Sequence, residues 1–140
     1  MTKVSMAAAA LMMAAMGSSA VELTVVGDAI PQALAAPGDA ARGRALIVAR
    51  DPANCVLCHA VPDVRFAGDL GPSLAGVGRR LSEGQLRLRV ADNLRVNPAS
   101  AMPSYYRTDG LDRVAPAYAG KPILTAQEVE DVVAYLGSLR

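Results

Sequence analysis

Three side chains constrain this sequence more than any others: Cys55, Cys58 and His59, in the pentapeptide Cys55-Val56-Leu57-Cys58-His59. They are the only two cysteines and the only histidine among 140 residues. One histidine and two cysteines cannot fill the four positions of a structural zinc site without carboxylate help. A Cys–His or Ser–His–Asp catalytic centre would have to be built on His59. Two cysteines cannot staple a disulfide scaffold. The length allows one domain.

A two-residue spacer between cysteines is typical of redox dithiols and of haem or metal attachment. The dithiol reading expects the motif after a strand, at the opening of a βαβ helix. Nothing before Cys55 reads as such a strand. Residues 38–50 look helical instead, with Asp39 placed to cap and Ala40, Ala41, Ala45, Leu46 and Val48 as good or tolerated helix residues. A histidine directly after the second cysteine completes CxxCH, the attachment signature of c-type haem. Two thiols bond to the vinyl groups of one porphyrin, and His59 is then held against the iron as proximal ligand.

A second axial ligand closes the iron to gases and suits it to electron transfer. No second histidine exists, and five of the six methionines lie in the first 16 residues, leaving Met102. It stands in Asn97-Pro98-Ala99-Ser100-Ala101-Met102-Pro103-Ser104. The prolines on either side stiffen this loop by fixing their own φ and restricting the residue before. A weak thioether ligand needs such support. The competing reading is an ordinary core filler.

The N-terminus has the layout of a secretory signal peptide. Lys3 precedes an uncharged, mostly apolar run over 4–16, and small residues Ser18 and Ala20 stand at −3 and −1 of a cleavage site. The apolar run is short of the roughly 20 residues that span a bilayer. Cleavage after Ala20 removes residues 1–20; Ala33-Leu34-Ala35 offers a later cut. Export places the protein in the periplasm. Removing Lys3 leaves 13 Lys+Arg against 13 Asp+Glu. That balance argues against nucleic acid or an anionic membrane as partner. One Phe and four Tyr are little aromatic bulk for a small core, which a large apolar cofactor would supplement.

The remaining chain reads as all-α, three or more helices joined by long loops around one covalent haem. Ser82 with Gln85 forms a capping box ahead of a stripe of Leu86, Val90 and Leu94. Arg79, Arg80, Arg87, Arg89 and Arg95 against Glu83 and Asp92 give this stretch a charge of +3. It reads as a solvated face, with pairing to haem propionates or docking of a partner as sharper alternatives. Thr125 with Glu128 caps a last helix whose apolar face is Val129, Val132, Val133, Leu136 and Leu139. Glu128, Glu130 and Asp131 fall in its first turns, where the helix dipole favours negative charge. This helix is expected to pack on the helix of residues 39–50, with Gly43 permitting close approach, against Tyr135. Pro72, in Gly71-Pro72-Ser73-Leu74, offers a carbonyl to the second ring nitrogen of His59, and Leu74 could pack on the haem edge. Tyr105, Tyr106 and Tyr118 read either as an exposed patch beside the haem or as core packing.

Over residues 38–140 these features resemble class I cytochromes c: Gly38-Asp39, Arg42-Gly43-Arg44, CxxCH, Gly71-Pro72-x-Leu74, Met102-Pro103 and Ala134-Tyr135-Leu136. Within that class, Asn97-Pro98, the run 102–107, Leu111-Asp112-Arg113-Val114 and the block 118–136 (Tyr118-Ala119-Gly120-Lys121-Pro122 onward) resemble the SoxX family. SoxX is the monohaem subunit of the SoxAX complex of bacterial sulfur oxidation. The resemblance implies thioethers at Cys55 and Cys58 and iron ligation by His59 and Met102. With the signal peptide read over 1–20, the resemblance over 38–140 marks a cytochrome c domain there and leaves an N-terminal extension over 21–37. It also implies a SoxA-like partner whose own haem, ligated by a modified cysteine, joins thiosulfate to a cysteine of the carrier SoxY (an L-cysteine S-thiosulfotransferase). This chain would relay the released electrons to a downstream cytochrome. Joining the two sulfurs releases two electrons, whereas one six-coordinate haem accepts one, and no thiol is spare once haem is attached. The chain therefore reads as a non-catalytic subunit, or, alternatively, as a free-standing periplasmic electron carrier.

Overall fold

A computed structural model describes residues 23–140; the signal-peptide reading of residues 1–20 lies outside them. Among the described residues four α-helices carry the fold: α1 (Ala40–Val48), α2 (Val77–Arg80), α3 (Glu83–Asp92) and α4 (Ala126–Ser138). Short 3₁₀ turns occur at Cys55–Leu57, Asn93–Arg95 and Pro116–Tyr118. Among the described residues the only β feature is an isolated bridge between Val26 and Ala29.

Each main helix starts where its sequence signal stands. Asp39 accepts the N–H of Arg42 at the head of α1. Ser82 and Gln85 form a reciprocal capping box at α3, and Thr125 and Glu128 do so at α4. These side chains satisfy N–H groups that a helix start leaves without partners.

Helix α4 is the hub, packing against α1, α2 and α3. Its Val129, Val132, Val133 and Leu136 are buried beside Ile47 of α1 and Leu86 and Val90 of α3. At the α1–α4 crossing, Gly43 lies so close to the Asp131 carbonyl that a Cβ would overlap it, and Tyr135 comes next. The expected crossing of these helices is therefore the observed one.

Ion pairs occupy the seams. Arg42 grips Asp131 through Nε at 2.7 Å and an Nη2 contact at 2.9 Å. Arg87 holds Glu130 with two bonds of 2.7 and 2.9 Å, and both side chains are buried. This corrects two expectations. Arg87 is not on a solvated face, and Glu130 and Asp131 do more than complement a helix dipole. A buried charge needs a partner and further hydrogen bonds. Arg87 also donates to the Ile30 carbonyl, and Glu130 accepts the Leu34 N–H. The pair thereby ties the segment 23–37 into the fold. Ile30, 1% exposed, forms a second small core with Leu88 and Ala91. Helix α3 thus buries two sides, whereas its Leu86–Val90–Leu94 stripe pointed to one.

Candidate functional site

The 3₁₀ turn at Cys55–Leu57 is entered through Asn54 in the left-handed region, φ 49°, which Asn tolerates better than most residues. The N–H groups of Cys58 and His59 both bond to the Cys55 carbonyl, at 3.1 and 3.0 Å. A 3₁₀ turn eclipses positions i and i+3. It therefore brings the Cys55 and Cys58 thiols to one side, with the imidazole next to them.

Three backbone bonds lace the following loop to this turn: Gly68 N–H to the Val56 carbonyl, Gly71 N–H to Cys58 and Leu74 N–H to Ala60. Arg80 secures the far end by donating to the Ser73 and Ala75 carbonyls. The His59 ring lies against Gly71, where a Cβ would come within 2.5 Å of Cε1. His59 Nδ1 is 2.7 Å from the Pro72 carbonyl, as the sequence suggested. A carbonyl can only accept, so Nδ1 carries the proton. Nε2 then keeps its lone pair, and the ring is oriented for a metal.

The Cys55 thiol is pushed up to about 11, first by burial. A redox dithiol needs a lowered thiol pKa, so Cys55 is poorly built for that chemistry. Cys55 sits against Tyr105, whose hydroxyl donates to the Ala53 carbonyl at 2.8 Å. Burial raises the Tyr105 hydroxyl pKa as well. Tyr105 is therefore core, not part of an exposed tyrosine patch, and Tyr106 and Tyr118 are half-buried. Instead, the solvent-facing apolar residues near the motif are Leu57, Phe66 and Leu70. Phe66, wholly exposed at a φ of 60°, stands out, since a bulky residue rarely holds that conformation.

Met102 is half-buried against the main core, to which Cys55, Val56 and Leu74 also pack. Its N–H donates to Ser100 Oγ at 3.1 Å. Two thiols, an imidazole with a free Nε2, a half-buried thioether and a glycine-lined loop fit covalent haem. The basic stretch separates into parts. Arg87 is buried, Arg89 reaches Asp28 at 3.6 Å, and Arg79 and Arg80 are exposed. The last two line an open cleft of about 460 Å³ with Arg140, and none of the motif residues lines it.

A residue the sequence reading left on a solvated face is Asp92, 1% exposed at the end of α3. Ser104 Oγ donates to it at 2.6 Å, and Arg107 Nε lies 2.7 Å away. Its signal was available: a carboxylate at a helix C-terminus opposes the helix dipole and needs a reason.

Residues 40–140 match the cytochrome c family. The structure is similar to the crystal structure of SoxXA from P. pantotrophus, with a TM-score of 0.76 and 38% identity, covering 84% of this chain and 94% of that one. A cytochrome c-553-like protein of Synechocystis sp. is 42% identical over 57 residues, 41% of this chain. The match spans 48%, about half, of that curated relative's length. The chain belongs to the cytochrome c family, as an all-α protein of class I whose cofactor is covalent haem c. Within that family it is of the SoxX type, as its C-terminal block already indicated.

Proposed function

We propose that this chain is the electron-transfer subunit of a periplasmic SoxAX-type complex, paired with a SoxA-like cytochrome. The likeness to SoxXA over 94% of the matched chain carries the reading. In it, Cys55 and Cys58 would hold the porphyrin through thioethers, and His59 and Met102 would bind its iron. Haem c, when bound, supplies a one-electron couple whose potential a His/Met pair raises. The chain's own residues orient and shield. Pro72 fixes the His59 tautomer, the Gly68–Leu74 loop holds the turn, and the core keeps Met102 half-buried.

The thiosulfate chemistry belongs to the partner, acting on the cysteine of a SoxY-type carrier, and this chain passes electrons to a downstream cytochrome. Support comes from the donor count: with both thiols committed to haem, no cysteine remains. Leu57, Phe66 and Leu70 offer apolar surface beside the motif for docking. Among the described residues no helix is long and apolar enough to cross a membrane. Export on a signal peptide over 1–20 places the mature chain, with its extension 21–37 and cytochrome domain 38–140, in the periplasm.

Co-expression with a SoxA-like chain tests the assembly. A stable complex is expected. A monomer without affinity for that partner would instead support a free-standing periplasmic carrier. Met102→Ala tests the distal ligand: haem stays attached and the ferrous iron binds carbon monoxide. An unchanged, ligand-resistant spectrum would remove Met102 from the site.

A further inference from the structure

The loop bearing Met102 is held on both of its flanks by two consecutive residues at the end of α3. Two positions before the methionine, Ser100 Oγ accepts from Asn93 Nδ2 at 2.7 Å. Two positions after it, Ser104 donates to Asp92 Oδ1 at 2.6 Å. Between them most of the loop is exposed, and only Met102 and Ser100 turn partly inward. The chain beyond Ser104 continues along the same helix end. The N–H of Tyr105 bonds to the Val90 carbonyl, and those of Tyr106 and Arg107 to the Ala91 carbonyl. These carbonyls belong to the last turn of α3, which a helix leaves without internal partners.

Asp92 is the centre of this clasp. Besides Ser104, its other oxygen takes Arg107 Nε at 2.7 Å and Arg95 Nε at 3.3 Å. The Arg107 N–H is too bent to form a hydrogen bond, so that contact is an ion pair. For α3 alone the arrangement is unfavourable. A buried carboxylate at a helix C-terminus opposes the dipole and bears a desolvation cost. Alanine there would serve the helix better. What Asp92 contributes lies outside the helix, in the segment it grips.

We propose that Asp92 is a positioning residue for the distal ligand: through Ser104 it locks the Met102 loop onto α3 and so sets how readily the thioether leaves the iron. This rests on Met102 being that ligand. A thioether carries no charge to hold it on iron, so its residence depends on how firmly the loop is anchored. Pro98 and Pro103 stiffen the loop from within, but stiffness alone gives no attachment. The Ser104–carboxylate bond supplies it, and bonds to charged groups are the stronger kind.

The test is the rate at which cyanide binds the ferric holoprotein, which reports departure of the native ligand. Ser104→Ala, which removes the charge-assisted hydrogen bond, should raise that rate about tenfold, and Asp92→Asn, which keeps an acceptor but removes its charge, should raise it severalfold. Ser104→Thr, which keeps the hydroxyl, should bind at the wild-type rate. Asp131→Asn weakens the α1–α4 seam, away from this clasp, and should leave the rate unchanged. If Asp131→Asn accelerates binding as much as Ser104→Ala, general loosening explains the effect and the proposal is overturned. If Met102→Ala opens the iron while Asp92→Asn and Ser104→Ala bind cyanide at the wild-type rate, Met102 remains the ligand and the proposal is overturned alone. If Met102→Ala itself changes nothing, both readings fall together.

Discussion

Gly71 shows how much one hydrogen atom in place of a side chain decides. It lies flat against the His59 ring, and its own N–H bonds to Cys58, one residue before that ring. An alanine methyl would come within 2.5 Å of Cε1, backed by chain that is bonded in place. The ring has to turn, and the 2.7 Å contact to the Pro72 carbonyl breaks. Gly71→Ala should therefore lower the yield of six-coordinate holoprotein severalfold while leaving the thioethers formed. Electron paramagnetic resonance of the ferric protein, read against its covalent haem content, checks this. Loss of an oriented partner of a metal-bound histidine commonly costs 10- to 100-fold in metal affinity or activity. The CxxCH spacing announced the donors. It was silent on Gly71 as a seat for the ring, because that role depends on a loop folding back 12 residues later.

At the scale of elements, α1 and α4 are locked by the absence of bulk at Gly43 and by charge at Asp131. Gly43→Ala forces the Asp131 backbone away and should destabilise the holoprotein by about 3 kcal/mol, measured by denaturant unfolding. The Arg42 guanidinium holds the Asp131 carboxyl down at about 2, below its ordinary 3.8, with help from the Asp39 N–H and Gln127 and against the effect of burial. A depressed carboxyl contributes stability that is present above its unfolded pKa and lost as pH falls through its folded one. The window runs from about pH 4 down to about pH 2. Arg42 is largely exposed, so screening trims the gain. Asp131→Asn should cost about 1 kcal/mol at pH 7, and that difference should vanish by about pH 2. A gap that persisted at pH 2 would rule out the ion pair as its source. Helix starts were legible because capping residues act on N–H groups three positions away. The pairs Arg42–Asp131 and Arg87–Glu130 were not, since they join residues 89 and 43 positions apart.

For the whole molecule, the segment 23–37 and the loop after the motif behave differently. The first is bound in through Ile30, Leu34 and the Arg87–Glu130 pair. Ile30→Ala should lower stability by about 2–4 kcal/mol, as for a core residue. The second loop presents Phe66 and Leu70 to solvent. If a SoxA-like partner docks there, Phe66→Ser should weaken the complex about tenfold or more without changing haem content, since buried aromatics dominate such interfaces. Titration of the purified holoprotein with that partner measures it. The sequence by itself determined the cofactor chemistry, the helix starts and the α1–α4 contact at Gly43. Covalent attachment, capping and close helix approach are local demands, written at fixed spacings of a few residues. Only the tertiary structure decided which charges are buried, that Tyr105 is core, and that Asp92 and Asn93 hold both flanks of Met102. Those outcomes depend on which distant residues meet when water is excluded, and a side chain's spacing along the chain carries no record of that.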